Sequence, residues 1–191
     1  GVKTVKKIVE KSIKLKIPII TFYVFSTENW KRPKSEINFL FQLIINYFKE
    51  ELDRVISNGI KVNIIGKLNR LPKKIKTTLK DVTKKTKKNK RIIVNLAINY
   101  GSRDEIVDAC KKIKKNINVK SLSKGLYTKK IADPDILIRT GGHKRLSNFM
   151  LWQLAYTEIY FVDKLWPDFN GKDFDKITRN FKKVKRNFGS I

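Results

Sequence analysis

Cysteine, histidine and methionine are nearly missing from this chain: Cys110, His143 and Met150 are the only ones among 191 residues. One cysteine excludes an intrachain disulfide framework, and one histidine with one cysteine excludes the usual four-ligand zinc site. The reading therefore favours a reducing compartment, cytoplasmic or peripheral at a membrane. No apolar run approaches the roughly 20 residues of a membrane span, and no secretory leader is visible. Five prolines and nine glycines are too few for a collagen-like or low-complexity chain. Acids are scarce as well, 17 against 44 Lys and Arg, for a formal charge of +27. What is present is a globular composition, 41% hydrophobic and 10% aromatic, enough for one domain over residues 1–191 with a sizeable core.

The charge excess favours polyanionic partners: nucleic acid, anionic lipid surfaces or phosphorylated small molecules. Most lysines fall in runs such as 73–91 and 111–116, interleaved with Ile, Leu and Val, which reads as helices with a solvated basic face. Apolar runs at 18–25, 60–66, 91–98, 135–139 and 158–162 predict strands. Helical periodicity covers 2–15, 35–57, 73–88, 103–115 and 171–186, with Ser35 and Ser102 as expected N-caps and Gly59 as a stop. Residues 116–130 read as a polar connector. The alternation predicts an α/β fold with a largely parallel central sheet flanked by helices. The chain opens on Gly1 and enters a helical pattern at once, so a segment upstream is expected.

Ligands of parallel sheets bind beyond the carboxyl ends of the strands. Three polar segments follow strands there: 26-STENWKRPK-34, 99-NYGSRDE-105 and 140-TGGHKRLSN-148. Arg139, Arg145 and Ser147 fit a diphosphate clamp, because guanidinium forks grip phosphate oxygens in pairs. Gly141 and Gly142 would turn the backbone and expose N–H groups, and Ser147 would cap a short helix over 148–156. A surface loop with ordinary ion pairs is the alternative. Glu158, close by in sequence, would need a bridging cation such as Mg2+ to sit beside a diphosphate; otherwise it is a strand-edge salt bridge. His143 reads as a solvated loop residue, and Trp30 as a packing residue of a polar connection. The helix at 35–57 is apolar nearly all round, so it is buried in a core or dimer, or lines an apolar cavity.

The segments FSTENWKRPKSEI, NYGSRDEI, DPDILIRTGGHKRLSNFMLWQLAYTEIYF and LWPDF together resemble the signature segments of the cis-prenyltransferases. The resemblance implies elongation of an allylic diphosphate, commonly farnesyl diphosphate, by isopentenyl diphosphate, with cis double bonds and Mg2+. It implies that Arg139, Arg145 and Ser147 hold isopentenyl diphosphate, and that Glu158 helps bind the metal. It places Asn29 near the reacting carbons, Trp30 and Arg32 beside the substrates, and Glu36 in the same region. The 35–57 helix would wall the tunnel for the growing chain. A homodimer is implied, or a heteromer with a non-catalytic subunit. The family's amino-terminal strand and Asp-Gly-Asn-x-Arg segment are not in this sequence. His143 stands where the family usually has Glu, and Asn187 where its tail has Arg. Two other functions compete: the non-catalytic subunit itself, and a basic polyanion or nucleic-acid binder resting on lysine content alone.

Overall fold

Apolar runs and amphipathic stretches become strands and helices in turn. The structure, a computed structural model, describes residues 1–114 and 116–186. The tail bearing Asn187, and residue 115 at the end of the fourth expected helix, lie outside the described residues. In order the elements are α1 (Val2–Lys14), β1 (Ile19–Ser26), α2 (Lys34–Ser57), β2 (Ile60–Ile65), α3 (Lys73–Thr86), β3 (Ile92–Tyr100), α4 (Ser102–Lys112), α5 (Val119–Gly125), β4 (Ile136–Thr140), β5 (Glu158–Val162) and α6 (Gly171–Phe181). Short 3-10 turns occupy Thr27–Lys31 and Trp166–Asp168.

All strand pairing is parallel, as expected, but it forms two blocks rather than one continuous ladder. One block has the order β1-β3-β2 and the other pairs β4 with β5. β3 is central in its block and buried on both faces, which explains its unbroken run from Ile92 to Tyr100. Shared side chains join the blocks. Ile20 and Phe22 of β1 meet Ile136 and Ile138 of β4 in a cluster around Ile8, Phe174 and Ile177. On α3, Ile75, Leu79, Val82 and Thr86 form the buried row, spaced by three and four residues as a helix face requires. Each of the three apolar ones contributes about 1.5–3 kcal/mol relative to exposure. The hydroxyl of Thr86 accepts the Val62 N–H of β2 at 3.1 Å and donates to Val82 O at 2.8 Å. Lys73, Lys80, Lys84 and Lys88 of the same segment are exposed, so this run is the solvated basic face that its pattern predicts.

Four local expectations are corrected. Pro33, not Ser35, bounds α2, since a ring-fixed φ without an N–H suits a helix boundary. Ser102 lies inside α4 behind Gly101, and its hydroxyl accepts Leu151 N–H at 2.9 Å instead of capping. The connector at 116–130 contains α5, capped by Asn118 and Ser121 in a reciprocal box. The last helix stops at Phe181, well short of 186.

Sequence patterning did not single out Glu105, which is fully buried. It accepts from Tyr100 Oη at 2.5 Å, Gln153 Nε2 at 3.1 Å and Tyr127 N–H at 2.8 Å. Three donors from three segments thus converge on one carboxylate. Glu105→Ala removes the acceptor of Tyr100 Oη and of the Tyr127 N–H, while Gln153 Nε2 keeps Thr128 Oγ1 at 2.8 Å. It is expected to lower unfolding free energy by about 2 kcal/mol or more in urea titration, since each orphaned buried donor costs roughly 1–3 kcal/mol. A loss below about 1 kcal/mol would show that the cluster rearranges freely.

Candidate active site

The carboxyl ends of β1, β3 and β4 deliver the three polar segments to one region. Arg139 leaves the end of β4 half-buried, and its NH1 donates to Ser147 Oγ at 3.0 Å. Its Nε is buried without a hydrogen-bond acceptor. Burial, and secondarily the charge of Arg145, pull the Arg139 guanidinium below its ordinary pKa. Neither arginine is ion-paired among the described residues. Two cations with no counter-ion are held near one another, which disfavours the empty site and favours a bound anion.

The loop that arranges them differs from expectation. Gly141 and Gly142 do turn the chain, with φ of 90° and 72°. Their N–H groups are not offered to a ligand: Gly141 donates to Lys164 O at 2.8 Å and Gly142 to Val162 O at 3.1 Å. Residues 148–156 form turns, not a helix, because Ser147, Asn148 and Met150 all adopt left-handed φ. Ser147 therefore contributes its hydroxyl and no helix N-terminus. Tyr23 Oη donates to Tyr100 O at 3.2 Å and its ring stacks on Phe149 at 4.5 Å, bracing the loop from β1.

The other predicted residues are dispersed. Asn29 Oδ1 accepts Ser26 N–H at 2.9 Å, closing the 3-10 turn after β1. Trp30 is a packing residue, edge-on to Phe25 at 5.2 Å, with Nε1 donating to Asn99 Oδ1 at 2.7 Å. Arg70, which the pattern did not single out, lies over its ring at 5.5 Å. Arg32 and Glu36 form an exposed pair at 3.6 Å at the start of α2. His143 is exposed.

Glu158 is the clear departure. It opens β5 and pairs with Ile136, whereas Arg139 pairs with Phe161. Three residues of parallel strand separate the two positions, roughly 10 Å along the sheet. Alternation also turns Glu158 to the opposite face from Arg139. Within one chain they do not share a ligand. No group of three His, Cys, Asp or Glu able to hold a metal occurs among the described residues. These residues alone do not fit an Mg2+ site at the clamp.

A carboxylate does approach the clamp from elsewhere. Glu28 shares with Arg103, Leu146, Ser147, Asn148 and Leu151 the wall of a cleft of about 350 Å3. Burial raises its pKa, but hydrogen bonds from Asn148, its own backbone, Ser26 and Thr27 prevail and hold it below the ordinary value. The visible signal was an acid in the segment after the first strand. On the other side of β1, α2 contributes Leu43, Ile44, Tyr47 and Phe48 to an apolar cavity of about 120 Å3, closed by Val5 and Val9 of α1 and by Phe22, Val24, Val94 and Leu96 of the sheet.

Comparison with known proteins decides the family: residues 1–189 match the model of undecaprenyl diphosphate synthases. The chain belongs to that family of prenyltransferases. It is an enzyme, a cis-prenyltransferase, as its relatives agree. An isoprenyl transferase of Rickettsia typhi is 44% identical over 99% of this chain and 85% of its own length. One from Clostridium perfringens is 42% identical over 100% of this chain and 79% of its own. Among solved structures, a probable undecaprenyl diphosphate synthase of Campylobacter jejuni superposes with a TM-score of 0.92 at 40% identity, covering 100% of this chain and 92% of that one. Lavandulyl diphosphate synthase from Lavandula x intermedia, in complex with dimethylallyl diphosphate, gives 0.94 at 30% identity, with 100% and 86% covered.

The unpaired arginines of this prenyltransferase make a direct prediction. Inorganic pyrophosphate at about a hundredfold its Kd should raise Tm by roughly 5–10 °C. Arg139→Met should abolish that rise while leaving the ligand-free Tm equal to or above wild type, because it removes a like-charge contact and an orphaned donor. Differential scanning calorimetry reads both; a large fall in ligand-free Tm would contradict the assignment.

Proposed function

We propose that this prenyltransferase condenses isopentenyl diphosphate onto an allylic diphosphate, farnesyl diphosphate in the first instance, and repeats the step to give a long-chain polyprenyl diphosphate with cis double bonds. The observation that carries the reading is the Arg139–Arg145 pair beside Ser147, two cations kept together without a counter-ion at the end of β4. In this reading the pair and the Ser147 hydroxyl hold the diphosphate of isopentenyl diphosphate. Asn29, Trp30, Arg32 and Glu36 belong to the segment that faces the allylic partner.

The chemistry asks little covalent work of the protein. The C1–O bond of the allylic diphosphate breaks with its electron pair leaving on diphosphate. The isopentenyl double bond supplies the pair for the new carbon–carbon bond, and a proton is lost from the adjacent carbon. Holding both substrates at close range supplies much of the acceleration. Fixed cations stabilise developing phosphate charge. The apolar cavity of about 120 Å3 beside α2 offers apolar space to the start of the product tail, each buried CH2 adding about 0.8 kcal/mol. Magnesium accords with the family resemblance, although no group of three acidic, His or Cys ligands for it occurs among the described residues. No helix among the described residues is long and apolar enough to cross a membrane. A homodimer is part of the reading, supported by Ile159 and Phe161, 39% and 41% exposed on the outer strand β5.

Incorporation of radiolabelled isopentenyl diphosphate by the full-length protein, with farnesyl diphosphate and magnesium, tests the reaction. Arg139→Ala should raise KM for isopentenyl diphosphate by at least about tenfold, the loss of roughly one charge-assisted hydrogen bond. Unchanged KM and kcat would refute the clamp. Val24→Phe, which fills part of the α2 cavity from β1, should shift products toward shorter chains on reversed-phase chromatography. An unaltered product distribution would remove the cavity from the tail's path.

A further inference from the structure

Asn148 does more than its place beside Ser147 requires. Its φ is 62°, a left-handed conformation that asparagine tolerates better than most residues. Its carbonyl accepts Ser102 N–H at 2.8 Å, its Oδ1 accepts Arg103 N–H at 2.8 Å, and its Nδ2 donates to Glu28 Oε1 at 2.8 Å. Glu28 follows β1, Ser102 and Arg103 follow β3, and Asn148 follows β4. One side chain thus ties together the three segments that the sheet brings to the site. Packing at this junction is tight: a Cβ on Gly101 would lie 2.7 Å from Asn148 Nδ2 and 2.5 Å from Thr27 Oγ1.

We propose that Asn148 is a positioning residue, whose amide, donated to the Glu28 carboxylate, fixes the loop carrying Asn29 and Trp30 against Ser147 of the anion clamp and so sets the separation of the two substrates. The inference rests on the reading of Arg139, Arg145 and Ser147 as that clamp. Glu28 and Asn148 both wall the cleft beside Ser147, so a change in their contact reshapes the space between the loops. Bond formation between two bound substrates is sensitive to such a change, with a misplacement of about 1 Å costing up to roughly a hundredfold in rate. Binding of one diphosphate to Arg139 and Arg145 is not, because among the described residues neither arginine is hydrogen-bonded or ion-paired to Asn148 or Glu28.

An amide exchange in the full-length protein separates this role from a merely structural one. Asn148→Asp keeps the acceptor for Arg103 N–H but sets a carboxylate against Glu28. It should lower kcat by about tenfold or more while KM for isopentenyl diphosphate stays within about threefold. Glu28→Gln keeps an acceptor for the Asn148 amide and should cost less than about fivefold. In the double variant Glu28→Gln with Asn148→Asp, the amide and carboxylate trade places and the hydrogen bond re-forms. Its kcat should return to within about threefold of Glu28→Gln alone. Asn148→Gly, which keeps the left-handed backbone and removes the side chain, should reproduce the kcat loss should Asn148→Asp fail to fold. A wild-type kcat in Asn148→Asp, a double variant no better than Asn148→Asp, or a loss confined to KM or Tm would overturn the proposal. Calorimetric titration of wild type with isopentenyl diphosphate keeps the two readings apart. No binding there overturns the clamp and this inference with it; with binding intact, the exchange alone decides.

Discussion

The Arg139 guanidinium is half-buried and feels the charge of Arg145, with no ion-pair partner for either among the described residues, and much of the local architecture can be understood as the means of keeping Arg139 there. Like charges separate unless a framework prevents it, and one donor of Arg139 is buried without an acceptor besides. The framework is specific. β4 ends at Thr140 on a glycine turn whose N–H groups are tied to the end of β5 and the segment just after it. The returning loop is frozen in left-handed conformations that most residues avoid and is braced by Tyr23, Tyr100 and Ser102. Behind it, Glu105 gathers Tyr100, Tyr127 and Gln153 into a buried polar cluster. Strain of this kind persists only when surroundings over-determine it, and an anion relieves the electrostatic part of it.

The net charge of the chain is a different matter from this local one. The +27 is spread along the chain, and its densest lysine run, residues 73–91 on and after α3, is mostly exposed, where water and salt screen it. Arg139 contributes one charge, but it is partly desolvated and next to another. In the proposed reading, site chemistry follows from two arginines and not from some forty cations. The apolar cavity beside α2 supports the same division of labour: a charged grip after β4, and an oily wall made by one face of the β1-β3-β2 block.

Strands were legible because burial on both faces writes itself as an unbroken apolar run, and helices because α3 repeats its buried row at three and four residues. The place of Arg139 near the end of β4 was legible from the apolar run that precedes it. What was not legible depended on contacts distant in sequence. Whether the N–H groups of Gly141 and Gly142 are free depends on Lys164 and Val162, more than twenty residues away. The turns at 148–156 carry a helix-compatible composition, and only the left-handed residues at their start prevent a helix. The carboxylate of Glu105 and the junction at Asn148 become visible only when three strand ends are brought together.

Glu158 shows most plainly how nearness along the chain differs from nearness in the fold. It is eleven positions after Ser147 and looked like part of one cluster. Consecutive parallel strands impose a return journey: the chain leaves β4 at its carboxyl end and must travel back to the amino end before β5 can begin. Any residue that opens the second strand is consequently as far from the end of the first as the strand is long. Alternation then decides the face, and here it opposes Arg139. The carboxylate that the fold does bring to the clamp, Glu28, is more than a hundred residues from it in sequence but follows β1, which ends on the same side of the parallel framework as β4. In such a sheet, residues meet because they come after strands, and those that precede strands gather at the other end.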